Sequence, residues 1–202
     1  MKISINAHSS IQVDNMYFDP FMIDSKMKPA KYVFITHTHY DHLSPDDIAK
    51  VIDKNTTIIA TPDAKDKLEP LFANKIIYVQ PGDDLTLGTI QVEVFASYNK
   101  NKPFHPIDNN WVGFKITKGK TSFIVTGDSD ATKTLEKLSC DILFVPIGGT
   151  YTMTAKEAAN LTNKMKPNIV VPTHYGSIVG SKNDEAEFKK HLAADIDCKI
   201  YL

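Results

Sequence analysis

Cysteine is scarce in this chain. Its 202 residues include two, Cys140 and Cys198, and they form no CxxC pair. A cysteine zinc site is therefore excluded. Each thiol stands just before an apolar run, at 142–145 and 200–202, so both read as buried free thiols, and nothing calls for an oxidising compartment. Long hydrophobic runs are also missing: no stretch approaches the ~20 apolar residues of a membrane span. Residues 1–6 have no apolar h-region, so no signal peptide is expected and a cytoplasmic location is. A surplus of either charge is absent too, with a formal net charge of -1 and a pI of about 6.6. Without a global basic field, nucleic acid would need a local patch. There is no low-complexity segment and no GxSxG. What remains is ordinary for a globular protein, 42% hydrophobic and 23% charged. The length suits a single domain, 1–202, in which two compact halves are allowed, and its core can hold a rigid site without disulfides.

The first quarter reads as short strands at 2–6, 10–13 and 16–18, then a strand at 31–36. Ser44-Pro45-Asp46-Asp47 opens a helix, with a cap, a proline at the first position and two acids in the first turn. Strands follow at 56–61, 75–79 and 89–97, with a helix at 63–72 and a turn at 81–84. A hairpin joins 112–117 to 121–126 around Lys118-Gly119-Lys120. Helices are then expected at 131–138, at 154–165 behind the capping box Thr154-Ala155-Lys156-Glu157, and at 184–194. Strands are expected at 141–147, 168–173 and 199–202. Strand-rich beginnings passing into strand–helix alternation in each half predict an α/β (α+β) chain: a four-layer αββα sandwich, two sheets face to face with helices outside.

Between the strand at 31–36 and the helix after Ser44 stands His37-Thr38-His39-Tyr40-Asp41-His42. Four possible metal ligands within six positions are too dense for core packing. Imidazole and carboxylate suit borderline divalent cations such as Zn²⁺. His37 and His39, at i and i+2, point the same way on an extended backbone, and Asp41 and His42 follow once the turn begins. Four ligands so close cannot all reach one ion without strain, so two ions are the simple resolution. Asp128 in Gly-Asp-Ser-Asp follows the apolar strand 123–125, where an unpaired carboxylate is costly. His174 follows 169–172 in the same way. Alone, each reads equally well as a satisfied turn residue; beside the hexapeptide, both read as ligands. Lys100 and Lys102 read as a solvated loop, with an anion-attracting lip as the alternative.

These residues resemble the metallo-β-lactamase superfamily, whose HxHxDH signature stands at 37–42. Phe18-Asp19-Pro20-Phe21, Tyr98-Asn99, Phe104-His105-Pro106, the run from Gly148 to Thr154 and His174-Tyr175-Gly176 look like its ascorbate-phosphate-lactonase-like branch. The resemblance implies that Asp128 bridges two ions and that His174 is the final histidine. It implies a third histidine for the first ion between the hexapeptide and Asp128, where His105 is available, with His8 as the competitor. That leaves His37, His39 and His105 on one ion and Asp41, His42 and His174 on the other. His8 is otherwise placed beside the metals as a proton donor or as a structural histidine. The resemblance also gives Asp19 a bracing role on the ligand loop.

The chemistry so implied is hydrolysis, with hydroxide held between two ions ~3.5–4 Å apart and Asp41 orienting it and passing a proton to the leaving group. Zn²⁺ is the first choice of metal, with Mn²⁺, Fe²⁺ or Ni²⁺ as alternatives. The expected partner is a small-molecule lactone, ester or phosphorylated metabolite, an anionic one included; a homo-oligomer is compatible, and membrane or nucleic acid is not expected. The alternatives are a phosphodiesterase or nuclease of the same fold and a non-catalytic metal-binding protein.

Overall fold

Short apolar runs in the first part of the chain become the strands of one sheet: β1 (Ile3–Ile5), β2 (Ile11–Val13), β3 (Met16–Phe18), β4 (Tyr32–Phe34), β5 (Thr57–Ala60) and β6 (Lys75–Tyr78). The computed structural model describes residues 1–202. It divides into two compact units, Met1–Val79 with Leu202, and Gln80–Tyr201. In the first unit the strands lie in sequence order. β1, β2 and β3 form an antiparallel meander, and β3 to β6 run parallel. All three residues of β4 are buried, as in a strand covered on both faces. Val33 joins a core with Ile35, Ile58 and Leu68, while Phe34 stacks on Phe18 with ring centroids 4.7 Å apart.

Helix α1 (Pro45–Val51) leaves the ligand hexapeptide as expected, with Ser44 accepting from the Asp47 amide. Ile48 and Val51 turn into the core, and burying side chains of this size stabilises by ~1.5–3 kcal/mol each. Buried Asp47 ties the helix to the preceding loop, accepting from the amides of Met22 and Ile23 and from Lys50 Nζ. The helix expected at 63–72 is shorter: one 3₁₀ turn at Pro62–Ala64 and α2 (Lys65–Leu68). Glu69 is still helical, with φ -57° and ψ -32°, and Pro70 stops the helix because it has no N–H to continue the ladder.

The second unit has a seven-stranded sheet: β7 (Asp84–Leu87), β8 (Ile90–Ala96), β9 (Val112–Lys118), β10 (Thr121–Val125), β11 (Ile142–Pro146), β12 (Ile169–Thr173) and β13 (Asp197–Cys198), in the order β13-β12-β11-β10-β9-β8-β7. β7 to β10 are antiparallel; β10 to β13 are parallel. β7 was not expected beyond the turn at 81–84, although Asp84-Leu85-Thr86-Leu87 alternates as a half-buried strand does. Helix α3 (Ala155–Met165) begins at the Thr154–Glu157 capping box and ends at left-handed Lys166. It packs Ala158, Leu161 and Met165 into a core with Leu143, Val145 and Phe188.

Four expectations shift here. The segment 131–138 holds only a 3₁₀ turn, Leu135–Lys137, whose first amide the Thr132 hydroxyl accepts and which ends where Leu138 turns extended. Helix α4 (Lys182–His191) starts earlier than expected, at a Ser181–Asp184 capping box, and ends at Leu192. The closing strand lies at β13 rather than 199–202, whose last two residues are exposed. The thiols are half-buried rather than buried, and burial pushes that of Cys140 up to about 12. The result is a mixed α/β protein with two sheets and four helices. No helix is long and apolar enough to cross a membrane.

Strand direction places the candidate residues. In the first sheet β1, β3 and β4 run the same way, so His8, Asp19 and residues 37–42 all follow strand ends on one side. In the second, β8, β10, β11 and β12 run the same way, and the loops after them carry His105, Asp128, Gly148 and His174. Carboxyl ends of parallel strands are where open α/β sheets place ligands.

Candidate metal centre

In the first unit the hexapeptide is held from beneath by a buried carboxylate. Asp19 Oδ1 accepts from the Thr36 amide at 2.8 Å, and Oδ2 accepts from the Thr36 hydroxyl at 2.7 Å. Oδ2 also meets His42 Nδ1 at 2.8 Å. Burial pushes the Asp19 carboxyl above its ordinary value, and the bonds from His42 and Thr36 oppose that shift. The Thr36 hydroxyl, having donated its one proton to Asp19, can only accept from His37 Nδ1, 2.9 Å away. The network therefore fixes two tautomers. His37 and His42 both carry hydrogen on Nδ1 and present Nε2 as a lone-pair donor.

His37 Nε2 lies 3.0 Å from His39 Nδ1. Two ring nitrogens this close share a proton or converge on a cation. Asp41 Oδ2 lies 3.1 Å from His8 Nε2 and 3.7 Å from His42 Nε2. The turn is closed by amides of His42 and Leu43 on the His39 carbonyl. His8, Asp41 and His42 are buried, and Tyr40, in the middle of the hexapeptide, is 65% exposed. One side of the loop is therefore sealed and the other open.

In the second unit Asp128 lies between two imidazoles. Its Oδ2 is 2.9 Å from His174 Nε2 and 3.3 Å from His105 Nε2. His105 Nδ1 meets Asn99 Oδ1 at 3.0 Å, and the ring packs edge-on to Trp111. A neutral imidazole lone pair facing a carboxylate oxygen at such a distance repels it unless a proton or a cation intervenes. This donor set, buried and built of imidazole and carboxylate, fits a divalent ion. Gly148 carries no side chain for a plain reason: a Cβ there would lie 2.1 Å from the His174 carbonyl oxygen. Three of these residues, His8, Asp19 and His174, have left-handed backbones, with φ of 52°, 45° and 57°. Such conformations cost on the order of 1–3 kcal/mol each and cluster at functional sites.

Each candidate residue thus falls in one of two constellations: His8, His37, His39, Asp41 and His42 in the first unit, and His105, Asp128 and His174 in the second. His105 reaches Asp128 from a loop, as its sequence position suggested. Lys102 does not lie in a solvated loop; its Nζ sits 2.7 Å from buried Asp130. His191 pairs with Glu187 on α4, away from both constellations in sequence. Sequence reasoning gave no role to Thr36, Asn99 or Asp130. Asn99 and Asp130 stood inside quoted motifs, and the only signal was that each is a polar residue beside a strand end.

A model of the beta-lactamase superfamily domain matches residues 7–174. A UPF0173 protein of Pyrococcus furiosus is 29% identical over 95% of this chain and 90% of its own length. A UPF0173 metal-dependent hydrolase of Pyrococcus abyssi is 27% identical over 94% and 91%. Among solved structures, a Parabacteroides distasonis protein named as a metal-dependent hydrolase superposes with a TM-score of 0.84. It is 28% identical and covers 98% of this chain and 91% of its own.

Proposed function

The chain belongs to the beta-lactamase superfamily, and we propose that this metal-dependent hydrolase works with two divalent ions on a small molecule. One ion takes His37, His39 and His105; the other takes Asp41, His42 and His174; Asp128 is shared. Zn²⁺ is the preferred ion, with Mn²⁺, Fe²⁺ and Ni²⁺ as alternatives. One observation carries the reading. His37, His42 and His105 each have Nδ1 engaged by an outer partner, Thr36, Asp19 and Asn99 respectively, which commits Nε2 to coordination. The match from residue 7 to residue 174 takes in every proposed ligand and runs through the boundary at 79–80. We therefore treat 1–202 as one working domain.

When bound, such ions would lower the pKa of a water and polarise the bond under attack. The chain's own groups handle protons and position. Asp41 Oδ2 takes a proton from the attacking water. His8 Nε2, 3.1 Å from that oxygen, receives that proton from Asp41 and passes it to the leaving group. Asp19 holds His42 in the tautomer that coordination needs.

For substrate we propose a lactone, ester or phosphorylated metabolite, on the strength of the branch resemblance. The net charge of -1 supports a small molecule over nucleic acid. Two unpaired thiols are compatible with a cytoplasmic setting. The test is a metal-reconstituted screen over lactones, esters, thioesters and phosphodiesters, with metal content measured on the same samples. Turnover led by lactones or esters is expected. Far greater activity on bis(p-nitrophenyl) phosphate would replace the reading with a phosphodiesterase, and no turnover at full loading would replace it with a metal-binding protein.

A further inference from the structure

We propose that Asn99 and Asp130 are positioning residues that set the tautomer and the aim of His105, with Lys102 holding Asp130 in place. The proposal rests on the reading of His105 as a metal ligand. His105 arrives in the long loop between β8 and β9, unlike Asp128 and His174, which follow their strands closely. A loop residue must be fixed by something other than its strand. The loop's base is closed by the Ser97 amide on the Trp111 carbonyl, and inside it the Asn99 amide bonds the His105 carbonyl at 2.8 Å. Asn99 therefore grips His105 twice, once through the main chain and once through Oδ1 on Nδ1 at 3.0 Å.

The orientation of the Asn99 side chain is forced. Its Nδ2 faces Asp130 Oδ1 at 3.3 Å, and an ionised carboxylate can only accept. Oδ1 must then face His105, and an amide oxygen can only accept as well. His105 is left with hydrogen on Nδ1, which turns Nε2, the atom 3.3 Å from Asp128, towards a proton or a cation. Asp130 is itself anchored by the Lys100 amide at 2.8 Å, by Lys102 Nζ at 2.7 Å and through its own amide on the Tyr98 carbonyl. Asn99, His105 and Asp130 are all buried, so water does not compete for these bonds. The run Lys102–Asp130–Asn99–His105 carries a choice of proton position from a charged pair to a ligand ring.

Ring ¹⁵N NMR of the metal-free protein reads this directly, with zinc affinity measured alongside. In the native chain His105 is expected to carry hydrogen on Nδ1. Asn99→Ala should move it towards Nε2–H and weaken zinc binding by about 10- to 100-fold, the usual cost of losing an outer partner. His42, held by Asp19, should keep its Nδ1–H signature in the same spectrum and so report that the fold is intact. Asp130→Asn, a smaller change, should shift His105 part of the way, because an amide at 130 no longer dictates which end of Asn99 faces it. Should Asn99→Ala fail to fold, Asp130→Asn carries the test. An unchanged His105 tautomer in the variant that folds overturns the proposal. His105→Ala separates the two claims: native zinc affinity in that variant would overturn His105 as a ligand, while the tautomer result still decides the role of Asn99.

Discussion

Each of the two units gathers its own candidate ligands, and they do so in opposite ways. The first concentrates: His37, His39, Asp41 and His42 come from one turn between β4 and α1, and a single buried carboxylate, Asp19, braces it. The second disperses: His105, Asp128 and His174 come from three loops, braced by an amide and a carboxylate in series. A concentrated set is fixed by local chain geometry. A dispersed set exists only once the strands carrying it have paired. The first should therefore tolerate loosening of its sheet better than the second, and the second should respond to substitutions that touch no ligand.

The largest expected effect is at Asp128, the one carboxylate in the dispersed set. Asp128→Ala should abolish bound metal and activity together, by metal analysis and turnover on one preparation; full activity would sink the two-ion reading. Next comes the bracing carboxylate of the concentrated set. Asp19→Ala strips partners from Thr36 and His42 at once, and a loss of metal affinity of about 10- to 100-fold is expected. It should exceed the loss at Asn99, and the reverse order would invert the comparison.

The third is steric. Gly148→Ala drives a Cβ against the His174 carbonyl, and overpacking of this kind costs about 1–3 kcal/mol. For a chain of this size each kcal/mol lowers Tm by about 2–4 °C. Metal affinity should fall with it, since His174 moves. An unchanged Tm would show that the loop after β11 yields freely.

The fourth concerns Asp47 in the first unit. Burial pushes its carboxyl up, but bonds from Lys50, Ser44 and the amides of Ile23 and Met22 outweigh that and hold it below its ordinary value. A depressed carboxyl stabilises above its unfolded pKa, about 3.9, and loses that contribution as pH falls through the folded value. Asp47→Asn should thus cost on the order of 1–3 kcal/mol at pH 7. The gap between variant and native should close as pH falls through the folded value. A gap independent of pH in denaturant titrations would mean that the charge is not what matters.

The smallest effect distinguishes the units by chemistry. Both cysteines lie in the second, and burial raises both thiols, Cys140 up to about 12. Labelling near pH 8 should be slow at Cys140 and should quicken only when the second unit opens. Labelling that precedes the loss of far-UV signal would show that the two units unfold separately.

The same contrast governs what could be read from the sequence. The hexapeptide was legible because its ligands are neighbours in the chain and capped by Ser44-Pro45. Asp128 and His174 were legible as polar residues ending apolar strands. His105 came only through resemblance, since its loop has no periodicity to mark it. Thr36, Asn99 and Asp130 act through tertiary hydrogen bonds that no spacing encodes. Elements failed for local reasons: Pro70 cut one helix short, the chain turned extended at Leu138 after a single 3₁₀ turn, and β7 hid behind a turn signal.

The left-handed corners at His8, Asp19 and His174 set stability and chemistry against each other. Glycine would suit the backbone at each corner and would erase the side chain that gives the corner its use. Selection for a sturdier fold and selection for turnover therefore pull these codons in opposite directions. A lineage that had given up the reaction should let them drift to glycine early, before its hydrophobic core had changed.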